Sequence, residues 1–239
     1  MIVGYKTYLD LVPDLIGDKE VLSSGMRQEV DRCAKAVEAA RTGKKVAVIC
    51  SGDPGIYAMA GLVFEILSAE ERKSRSQKSG DAEHPTLNKG GQEGVEVEIV
   101  PGIPALSSCA ARLGAPLMHD FASISLSDLL TPWDLIEKRL DAAASADFVI
   151  AIYNPKSKGR PENINRARDI IMRHRPGDTP VGIVKAATRE NETVTITDLA
   201  HMLECEIDML STVIIGNSQT FQWNGRMVTP RGYDRKYKI

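Results

Sequence analysis

The stretch that decides the fold is Val46-Ala47-Val48-Ile49-Cys50, followed by Ser51-Gly52-Asp53-Pro54-Gly55 and then by Ile56-Tyr57-Ala58-Met59-Ala60-Gly61-Leu62-Val63. Its first part is a continuous apolar run bounded by turn residues, which is typical of a buried strand. Its last part has helical spacing, because Ile56, Ala60 and Val63 fall on one face of a helix. The stretch therefore predicts a strand, a loop and a helix in succession.

The loop in the middle of this stretch has two interpretations. As a ligand loop, Asp53 caps the following helix and Pro54 occupies its first position, while Gly52 and Gly55 let a ligand approach the backbone. Such loops lie at the carboxyl ends of parallel strands, where open α/β sheets bind ligands. The same residues also form ordinary tight turns, so the local sequence leaves both interpretations open. The loop matches neither the dinucleotide-binding nor the P-loop glycine pattern, which excludes both assignments.

The composition indicates a globular chain with little bulk attraction to polyanions. With 239 residues and 43% hydrophobic content, the chain can bury the core of one large domain or of two smaller ones. A total of 30 Lys and Arg against 32 Asp and Glu gives a net charge of -2. This balance argues against bulk attraction to nucleic acid or an anionic membrane, and it leaves a local basic patch open.

The cysteines and the start of the chain indicate a cytoplasmic protein. The cysteines lie far apart in apolar segments without metal-ligand spacing, which is typical of buried thiols in a reducing compartment and predicts no metal site. They are Cys33, Cys50, Cys109 and Cys205. No apolar run reaches the length of a membrane span, and the first residues lack the basic-then-apolar order of a signal peptide. We therefore expect no membrane partner.

A second strand, loop and helix precede the expected domain boundary. Residues 95–100 alternate strictly between apolar and acidic side chains and lead through Pro101-Gly102-Ile103-Pro104-Ala105 into a helix of small residues. Before them, residues 69–94 are too polar to contribute to a core, and we expect most of this segment to be a mobile surface loop. We place the boundary near residue 118, which gives α/β domains over residues 1–118 and 119–239.

The second half of the sequence predicts an α/β domain with antiparallel strand pairs. Its most apolar strand covers residues 148–153 and leads into a loop that begins at Asn154. Further strands are predicted at 181–185, 194–197 and 212–215. The pair Asn224-Gly225 is typical of the two-residue turn of a β-hairpin.

Seven motifs together resemble a known family, the tetrapyrrole methyltransferases that use S-adenosylmethionine. They are Tyr5-Lys6-Thr7-Tyr8, Ser51-Gly52-Asp53-Pro54-Gly55-Ile56-Tyr57, Pro101-Gly102-Ile103-Pro104-Ala105, His119-Asp120-Phe121, Ser125-Leu126-Ser127-Asp128-Leu129-Leu130-Thr131-Pro132-Trp133, Tyr153-Asn154-Pro155 and Arg189-Glu190-Asn191-Glu192. The resemblance spans almost the whole chain. The fifth motif and Tyr153-Asn154-Pro155-Lys156 are most similar to the branch that methylates C17 of a precorrin in cobalamin biosynthesis and contracts its ring.

The resemblance implies a two-domain α/β fold, each domain a mixed sheet flanked by helices, with the cofactor in the cleft between the domains. It implies S-adenosylmethionine as cofactor, S-adenosylhomocysteine as product, a small-molecule tetrapyrrole as substrate, and a homodimer. Carried over by position, the implied cofactor contacts are Gly52, Asp53, Ile56, Pro104, Ala105, Asn154 and Ala187. Asn154 stands where many relatives carry methionine, and Pro104 where many carry threonine or serine.

The implied chemistry needs no catalytic dyad, and no catalytic residue is assigned. Methyl transfer from a sulfonium to an electron-rich carbon is an in-line displacement, in which positioning can supply much of the rate. A proton donor for ring contraction is sought among His119, Asp120, Ser125 and Asp128, although a lone histidine near a boundary is more often structural.

The substrate class predicts cations in the binding trough, because tetrapyrroles of this pathway carry many carboxylates. Lys156, Lys158 and Arg160 follow a buried strand, and they are the expected substrate contacts. Basic residues between 166 and 175 are more typical of a solvated helix face.

Three further expectations concern the amino terminus and competing functions. In the family a strand and a glycine- and proline-rich loop precede the equivalent of Ile2-Val3-Gly4-Tyr5, so we expect this chain to lack its first strand and to be weakened. One alternative is a methyltransferase of the same superfamily that acts on another precorrin or on ribosomal RNA, which the near-neutral charge disfavours. The other is a truncated, non-catalytic protein that binds tetrapyrrole or cofactor.

Overall fold

The computed structural model describes residues 1–78 and 94–238, and the chain forms two compact units, Met1–Pro104 and Ala105–Ile239. Each unit has its own sheet and its own helices, so the mixed α/β class predicted from the sequence is confirmed. The boundary expected near residue 118 falls inside the second unit.

The first unit is built on a parallel sheet of three strands. In chain order its elements are β1 (Ile2–Tyr5), α1 (Lys6–Leu9), α2 (Pro13–Ile16), β2 (Val21–Ser24), α3 (Glu29–Arg41), β3 (Ala47–Ile49) and α4 (Ala60–Lys78). The strand order is β2-β1-β3, and Val3 of β1 lies opposite both Leu22 and Val48. Val3 is fully buried. The predicted strand at residues 46–50 therefore exists as β3 and pairs with the central strand.

The helix after β3 begins later than the sequence predicts. α4 starts at Ala60 rather than at Ile56, and residues 50–59 form an irregular loop. The predictions that Asp53 caps this helix and that Pro54 occupies its first position are therefore wrong. The physical reason is that the Asp53 carboxylate accepts hydrogen bonds from loop amides instead of from amides of the helix.

The last part of α4 corrects the prediction of a mobile loop over residues 69–94. Residues 69–78 belong to the helix, and its Glu70 carboxylate accepts a hydrogen bond of 2.6 Å from Arg41. Glu, Lys, Arg and Gln are strong helix formers, so a polar segment can extend a helix that has already started. Residues 79–93 of the predicted loop lie outside the described residues.

The alternating segment at residues 95–100 does not form the predicted strand. Residues 94–100 have no regular secondary structure, and no strand of the described chain pairs with them. Alternation determines which side chains share a face, but a strand forms only when a neighbour takes up its backbone hydrogen bonds.

The second unit contains most of the regular structure of the chain. In chain order its elements are α5 (Ala105–Leu113), β4 (Gly114–Ala115), β5 (Phe121–Ser125), α6 (Trp133–Ser145), β6 (Val149–Tyr153), α7 (Asn163–Met172), β7 (Pro180–Lys185), β8 (Thr193–Asp198), β9 (Ser211–Ile215), β10 (Phe221–Trp223) and β11 (Arg226–Val228). The strands predicted at 148–153, 181–185, 194–197 and 212–215 are confirmed as β6, β7, β8 and β9. The hairpin predicted at Asn224-Gly225 is confirmed between β10 and β11, and both of its turn residues have positive φ.

The main sheet of this unit has the strand order β5-β6-β9-β7-β8. β5 and β6 are parallel, whereas β9 is antiparallel to both β6 and β7. Two antiparallel steps restore the original direction, so β7 runs the same way as β6. The carboxyl ends of β5, β6 and β7 therefore lie at one edge of the sheet, which we call the carboxyl edge. A smaller sheet joins β10, β11 and β4.

Helices cover both faces of this sheet. The alternation along β6 sends Ile150 and Ile152 into the core that includes residues of α6 and α7, and sends Val149 and Ala151 into the core of α5. Leu113 of α5 is fully buried in that second core. α5 therefore belongs to the second unit, and this is the physical reason why the division falls at residues 104 and 105 rather than near 118.

Candidate functional site

In the first unit, Asp53 joins the two loops that the sequence analysis singled out. Its Oδ1 accepts a hydrogen bond of 2.8 Å from the amide of Gly55, within its own loop. Its Oδ2 accepts one of 3.0 Å from the amide of Gly102, in the loop before α5. A carboxylate that accepts two main-chain hydrogen bonds fixes both loops relative to each other.

Two glycines allow these loops to touch through their backbones. A Cβ on Gly102 would lie 2.1 Å from the carbonyl oxygen of Gly52, which is far inside any real contact. Gly52 itself has φ +85, a conformation that favours glycine. The loops thus present main-chain groups without side-chain bulk. Ile56 and Ile103 flank them with exposed fractions of 36% and 73%, and Pro104 ends the second loop.

In the second unit, the carboxyl edge brings together two of the predicted cofactor residues. The hydroxyl of Tyr153, the last residue of β6, accepts a hydrogen bond of 2.6 Å from the amide of Leu106 in α5. Asn154 follows Tyr153 in the sequence, and Ala105 precedes Leu106. The bond between Tyr153 and Leu106 therefore connects the neighbours of Asn154 and Ala105. The third predicted residue, Ala187, packs against the core that contains Leu106.

The backbone conformation at residue 154 explains why asparagine can stand there, where many relatives carry methionine. Its φ is 51, in the left-handed region, where asparagine is several-fold enriched over most other residue types. Its Nδ2 donates a hydrogen bond of 2.9 Å to Ser125 Oγ, which also accepts one from the amide of Ser127. The asparagine side chain therefore connects the ends of β5 and β6.

The three predicted substrate cations have different environments. Lys156 and Lys158 are exposed. The Arg160 guanidinium instead donates a hydrogen bond of 3.2 Å to the carbonyl of Leu126 and lies 3.7 Å from Asp128 Oδ1. Arg160 thus holds the segment after β5, and its charge is partly compensated within the chain.

The candidates for a proton donor do not lie together. His119 and Asp120 precede β5, whereas Ser125 ends it and Asp128 follows it. Asp120 and Ser125, the nearest members of the two groups, are five residues apart, which is roughly 16 Å along an extended strand at about 3.3 Å per residue. Only Ser125 and Asp128 belong to the carboxyl edge.

Two contacts at the carboxyl edge are not predicted by any local sequence pattern. One is the bond between Tyr153 and Leu106, which joins positions far apart in the sequence. The other is an ion pair in which Arg112 NH2 lies 2.6 Å from Glu192 Oε1. Glu192 is part of a motif quoted above, but the motif alone assigned no role to it.

Several kinds of site are absent from the part of the chain that the structure describes. Residues 1–78 and 94–238 contain no group of three His, Cys, Asp or Glu side chains arranged to hold a metal ion. Within the same residues, no helix combines the length and apolar character needed to cross a membrane. All four cysteines are free thiols; Cys33 and Cys109 are buried, and Cys50 and Cys205 are half-buried. Burial raises the pKa of the Cys33, Cys50 and Cys109 thiols, which keeps them protonated.

The sequence matches one protein family over most of its length. The family, described as Tetrapyrrole (Corrin/Porphyrin) Methylases, matches residues 1–74 and 83–203. The cobalt-factor III methyltransferase of Priestia megaterium is 51% identical over 239 residues, which are 100% of this chain and 41% of that protein. The chain thus spans about two fifths of that relative.

Two further relatives are covered over most of their own length. The probable cobalt-factor III C(17)-methyltransferase of Salmonella typhimurium is 47% identical over 98% of this chain and 88% of that protein. The precorrin-3B C(17)-methyltransferase of Sinorhizobium sp is 40% identical over 91% of this chain and 78% of that protein.

Solved structures support the same fold. The crystal structure of the methyltransferase CobJ has a TM-score of 0.80 and 33% identity, covering 96% of this chain and 87% of that one. The cobalt precorrin-4 methyltransferase CbiF has a TM-score of 0.64 at 22% identity, covering 90% of this chain and 83% of that one. The second likeness is evidence for the fold alone.

Proposed function

The chain belongs to the tetrapyrrole (corrin/porphyrin) methylase family, and from this premise we propose that it methylates C17 of a precorrin-3B-type macrocycle and contracts the ring, in cobalamin biosynthesis. The observation that carries the proposal is the 47% identity to the probable cobalt-factor III C(17)-methyltransferase, over 98% of this chain and 88% of that protein.

The loops of the first unit suit a cofactor bound through main-chain groups. The close approach of Gly102 to Gly52 leaves no room for a Cβ, so the two loops meet through their main chains. We propose Gly52, Asp53, Ile56 and Pro104 as contacts of S-adenosylmethionine, with Asp53 holding both loops in place.

The carboxyl edge of the second unit supplies the remaining proposed contacts, Ala105, Asn154 and Ala187. Ala105 and Ala187 have small side chains that are partly buried against the core of α5. The hydrogen bond from Asn154 to Ser125 fixes the turn after β6. The main-chain groups of this turn are therefore in place before the cofactor binds. Preorganisation of this kind lowers the cost of binding.

The chemistry then depends on orientation. S-adenosylmethionine, when bound, supplies a methyl group on a sulfonium, and the attacking macrocycle carbon displaces S-adenosylhomocysteine in line. The residues of this chain hold the reactants and exclude water; no strong base is needed for the transfer itself. Ser125 lies at the carboxyl edge and carries a hydroxyl, which makes it better placed than His119 and Asp120 to donate a proton during ring contraction. Asp128 also lies there, but as the carboxylate partner of Arg160 it is suited to accept a proton.

The substrate is proposed to be a polycarboxylate macrocycle that contacts Lys156, Lys158 and Arg160. Lys156 and Lys158 are exposed cations after β6, and charge-assisted hydrogen bonds to carboxylates are among the strong ones. The two cobalt-factor III relatives described above are 51% and 47% identical to this chain, and the precorrin-3B relative is 40% identical. This difference supports a cobalt-containing macrocycle as the substrate.

We further propose a cytoplasmic homodimer that binds neither nucleic acid nor membrane. The net charge of -2 supports the absence of such polyanionic partners. Light scattering at micromolar concentration tests the dimer, and a monomeric mass contradicts it.

A turnover assay tests the proposed function. The purified chain is incubated with S-adenosylmethionine and either cobalt-factor III or precorrin-3B, and release of S-adenosylhomocysteine is measured. We expect release with a macrocycle and faster release with the cobalt form. Release with ribosomal RNA alone favours the other branch of the superfamily, and binding without turnover identifies a non-catalytic binding protein.

A further inference from the structure

The loop that carries Ala187 has a backbone that needs outside support. Residues 186–192 connect β7 to β8, whose Lys185 and Thr193 lie opposite each other. Ala186 has φ 50 and Thr188 has φ 65, so two residues that are not glycine adopt the left-handed conformation on either side of Ala187. Such conformations are unfavourable and persist only where the surroundings determine them.

Main-chain hydrogen bonds hold the two ends of this loop. The Ala186 amide donates to the Leu210 carbonyl at 3.0 Å, and the Arg189 amide donates to the Ala186 carbonyl at 3.0 Å. The Glu192 amide donates to the Arg189 carbonyl at 3.1 Å. None of these three bonds involves the amide of Thr188.

The Glu192 carboxylate supports the middle of the loop. It accepts a hydrogen bond of 2.6 Å from the Thr188 amide, next to Ala187. Its side chain is only 15% exposed. The hydrogen bond from the Thr188 amide lowers the pKa of the Glu192 carboxyl most, and the hydrogen bond from Arg112 lowers it further. Glu192 is therefore ionised at neutral pH.

Arg112 fixes the position of this carboxylate. Its Nε lies 2.7 and 2.8 Å from the two Glu192 oxygens, and its NH2 lies 2.6 Å from Oε1. A guanidinium that uses two of its nitrogens in this way fixes the orientation of the carboxylate as well as its charge. Arg112 belongs to the last turn of α5.

α5 is thereby attached to the carboxyl edge at both ends. Its first turn is bonded to Tyr153, which precedes Asn154, and its last turn is bonded to Glu192. The helix begins with Ala105. α5 therefore begins at one proposed cofactor contact, Ala105, and is bonded next to the second, Asn154. Through Glu192 it is also bonded to the loop that carries the third, Ala187.

We propose that Arg112 and Glu192 are positioning residues, whose ion pair holds the 186–192 loop in the conformation that lets Ala187 contact the cofactor. This inference rests on the proposed function, because the contact of Ala187 is itself proposed. Neither residue needs to touch the cofactor.

The test compares three variants with a matched control by calorimetric titration with S-adenosylhomocysteine. Glu192→Ala removes the acceptor for Thr188, Glu192→Gln keeps an acceptor but loses the charge, and Arg112→Lys keeps the charge but loses the two-nitrogen contact. The control is Glu137→Ala, which removes another ion pair of the same unit, one with a separation of 3.7 Å.

A loop that is correctly ordered about one tenth of the time weakens apparent affinity about tenfold. We expect an effect of this size for Glu192→Ala, smaller losses for Glu192→Gln and Arg112→Lys, and none for Glu137→Ala. Hydrogen exchange at the Thr188 amide should accelerate in Glu192→Ala while exchange in β7 and β9 stays unchanged, which separates loop positioning from general loss of stability.

Two results overturn the inference. If folded Glu192→Gln and Arg112→Lys variants bind S-adenosylhomocysteine as tightly as the unmodified chain, the ion pair does not position the loop. If the unmodified chain fails to bind S-adenosylhomocysteine at all, the proposed function fails, and the inference fails with it.

Discussion

The hydroxyl of Tyr153 accepts a hydrogen bond of 2.6 Å from the main-chain amide of Leu106. Leu106 is the second residue of α5, and the first four amides of a helix have no partner within it. Tyr153 satisfies one of them from the end of β6. The bond therefore couples the start of α5 to the turn at Asn154.

Removal of this hydroxyl should weaken both stability and cofactor binding. In Tyr153→Phe the Leu106 amide loses its partner, and we expect the free energy of unfolding to fall by about 1 kcal/mol. Chemical denaturation measures this change, and titration with S-adenosylhomocysteine measures the affinity. Tyr233→Phe, at a tyrosine that is 57% exposed, is the control and should change neither quantity. Equal stability of Tyr153→Phe and the unmodified chain would contradict the capping role.

A methyl group at Gly102 should disrupt the loops of the first unit. Its Cβ would meet the Gly52 carbonyl at 2.1 Å, and because the obstacle is backbone, one loop must move. We expect a loss of about 1–3 kcal/mol, as for other overpacked sites, together with weaker binding of S-adenosylhomocysteine. Gly61→Ala is the matched control, since a Cβ there meets nothing within 4 Å. A folded Gly102→Ala variant with unchanged affinity would show that the two loops are ordinary turns.

The polar segment after α4 should contribute little to stability. We expect that replacing residues 79–93 by a Gly-Ser linker of equal length leaves the melting temperature almost unchanged, because its residues are mainly polar. Extending the replacement to residues 69–93 removes the end of α4 and the bond between Arg41 and Glu70, and should lower it. A large drop from the first replacement would show that this segment packs.

One histidine should make stability depend on pH near neutrality. His201 Nδ1 lies 2.7 Å from Asp198 Oδ1, and this hydrogen bond and charge raise the pKa of His201 above its ordinary 6.5. Its stabilising contribution is therefore complete below about pH 6.5 and disappears as the pH rises through the raised pKa. The hydrogen bond from the His201 main-chain amide, and then that from its ring, lower the pKa of Asp198. The stabilising contribution of Asp198 is therefore lost as the pH falls through this lowered pKa.

Titration by nuclear magnetic resonance checks this prediction. Asp198→Asn should return the pKa of His201 toward 6.5. Asp141→Asn, which removes the carboxylate 2.7 Å from His174 instead, should leave His201 unaffected. An identical titration of His201 in the Asp198→Asn variant would be evidence against the pair.

The elements that the sequence predicted well are those whose signal is local. β6 and β7 are continuous apolar runs because both faces of the sheet are covered, and the turn between β10 and β11 needs Asn-Gly for its positive φ values.

The features that the sequence did not predict depend on distant partners. Asp53 has the local pattern of a helix cap, but an amide 49 residues away, that of Gly102, takes one of its oxygens. Arg160 donates a hydrogen bond to the Leu126 carbonyl, 34 residues earlier in the chain, and no local pattern predicts that contact. The alternation at residues 95–100 contains no information about whether a neighbouring strand is present.

The position of the transferred methyl group tests the proposed C17 methylation most directly. The chain is supplied with S-adenosylmethionine labelled with carbon-13 in its methyl group and with cobalt-factor III or, in a parallel reaction, precorrin-3B, and the products are analysed by mass spectrometry and carbon-13 resonance. We predict one added labelled methyl at C17 of a contracted macrocycle. Unmodified macrocycle in both reactions, or a label at any other carbon, would contradict the proposed activity.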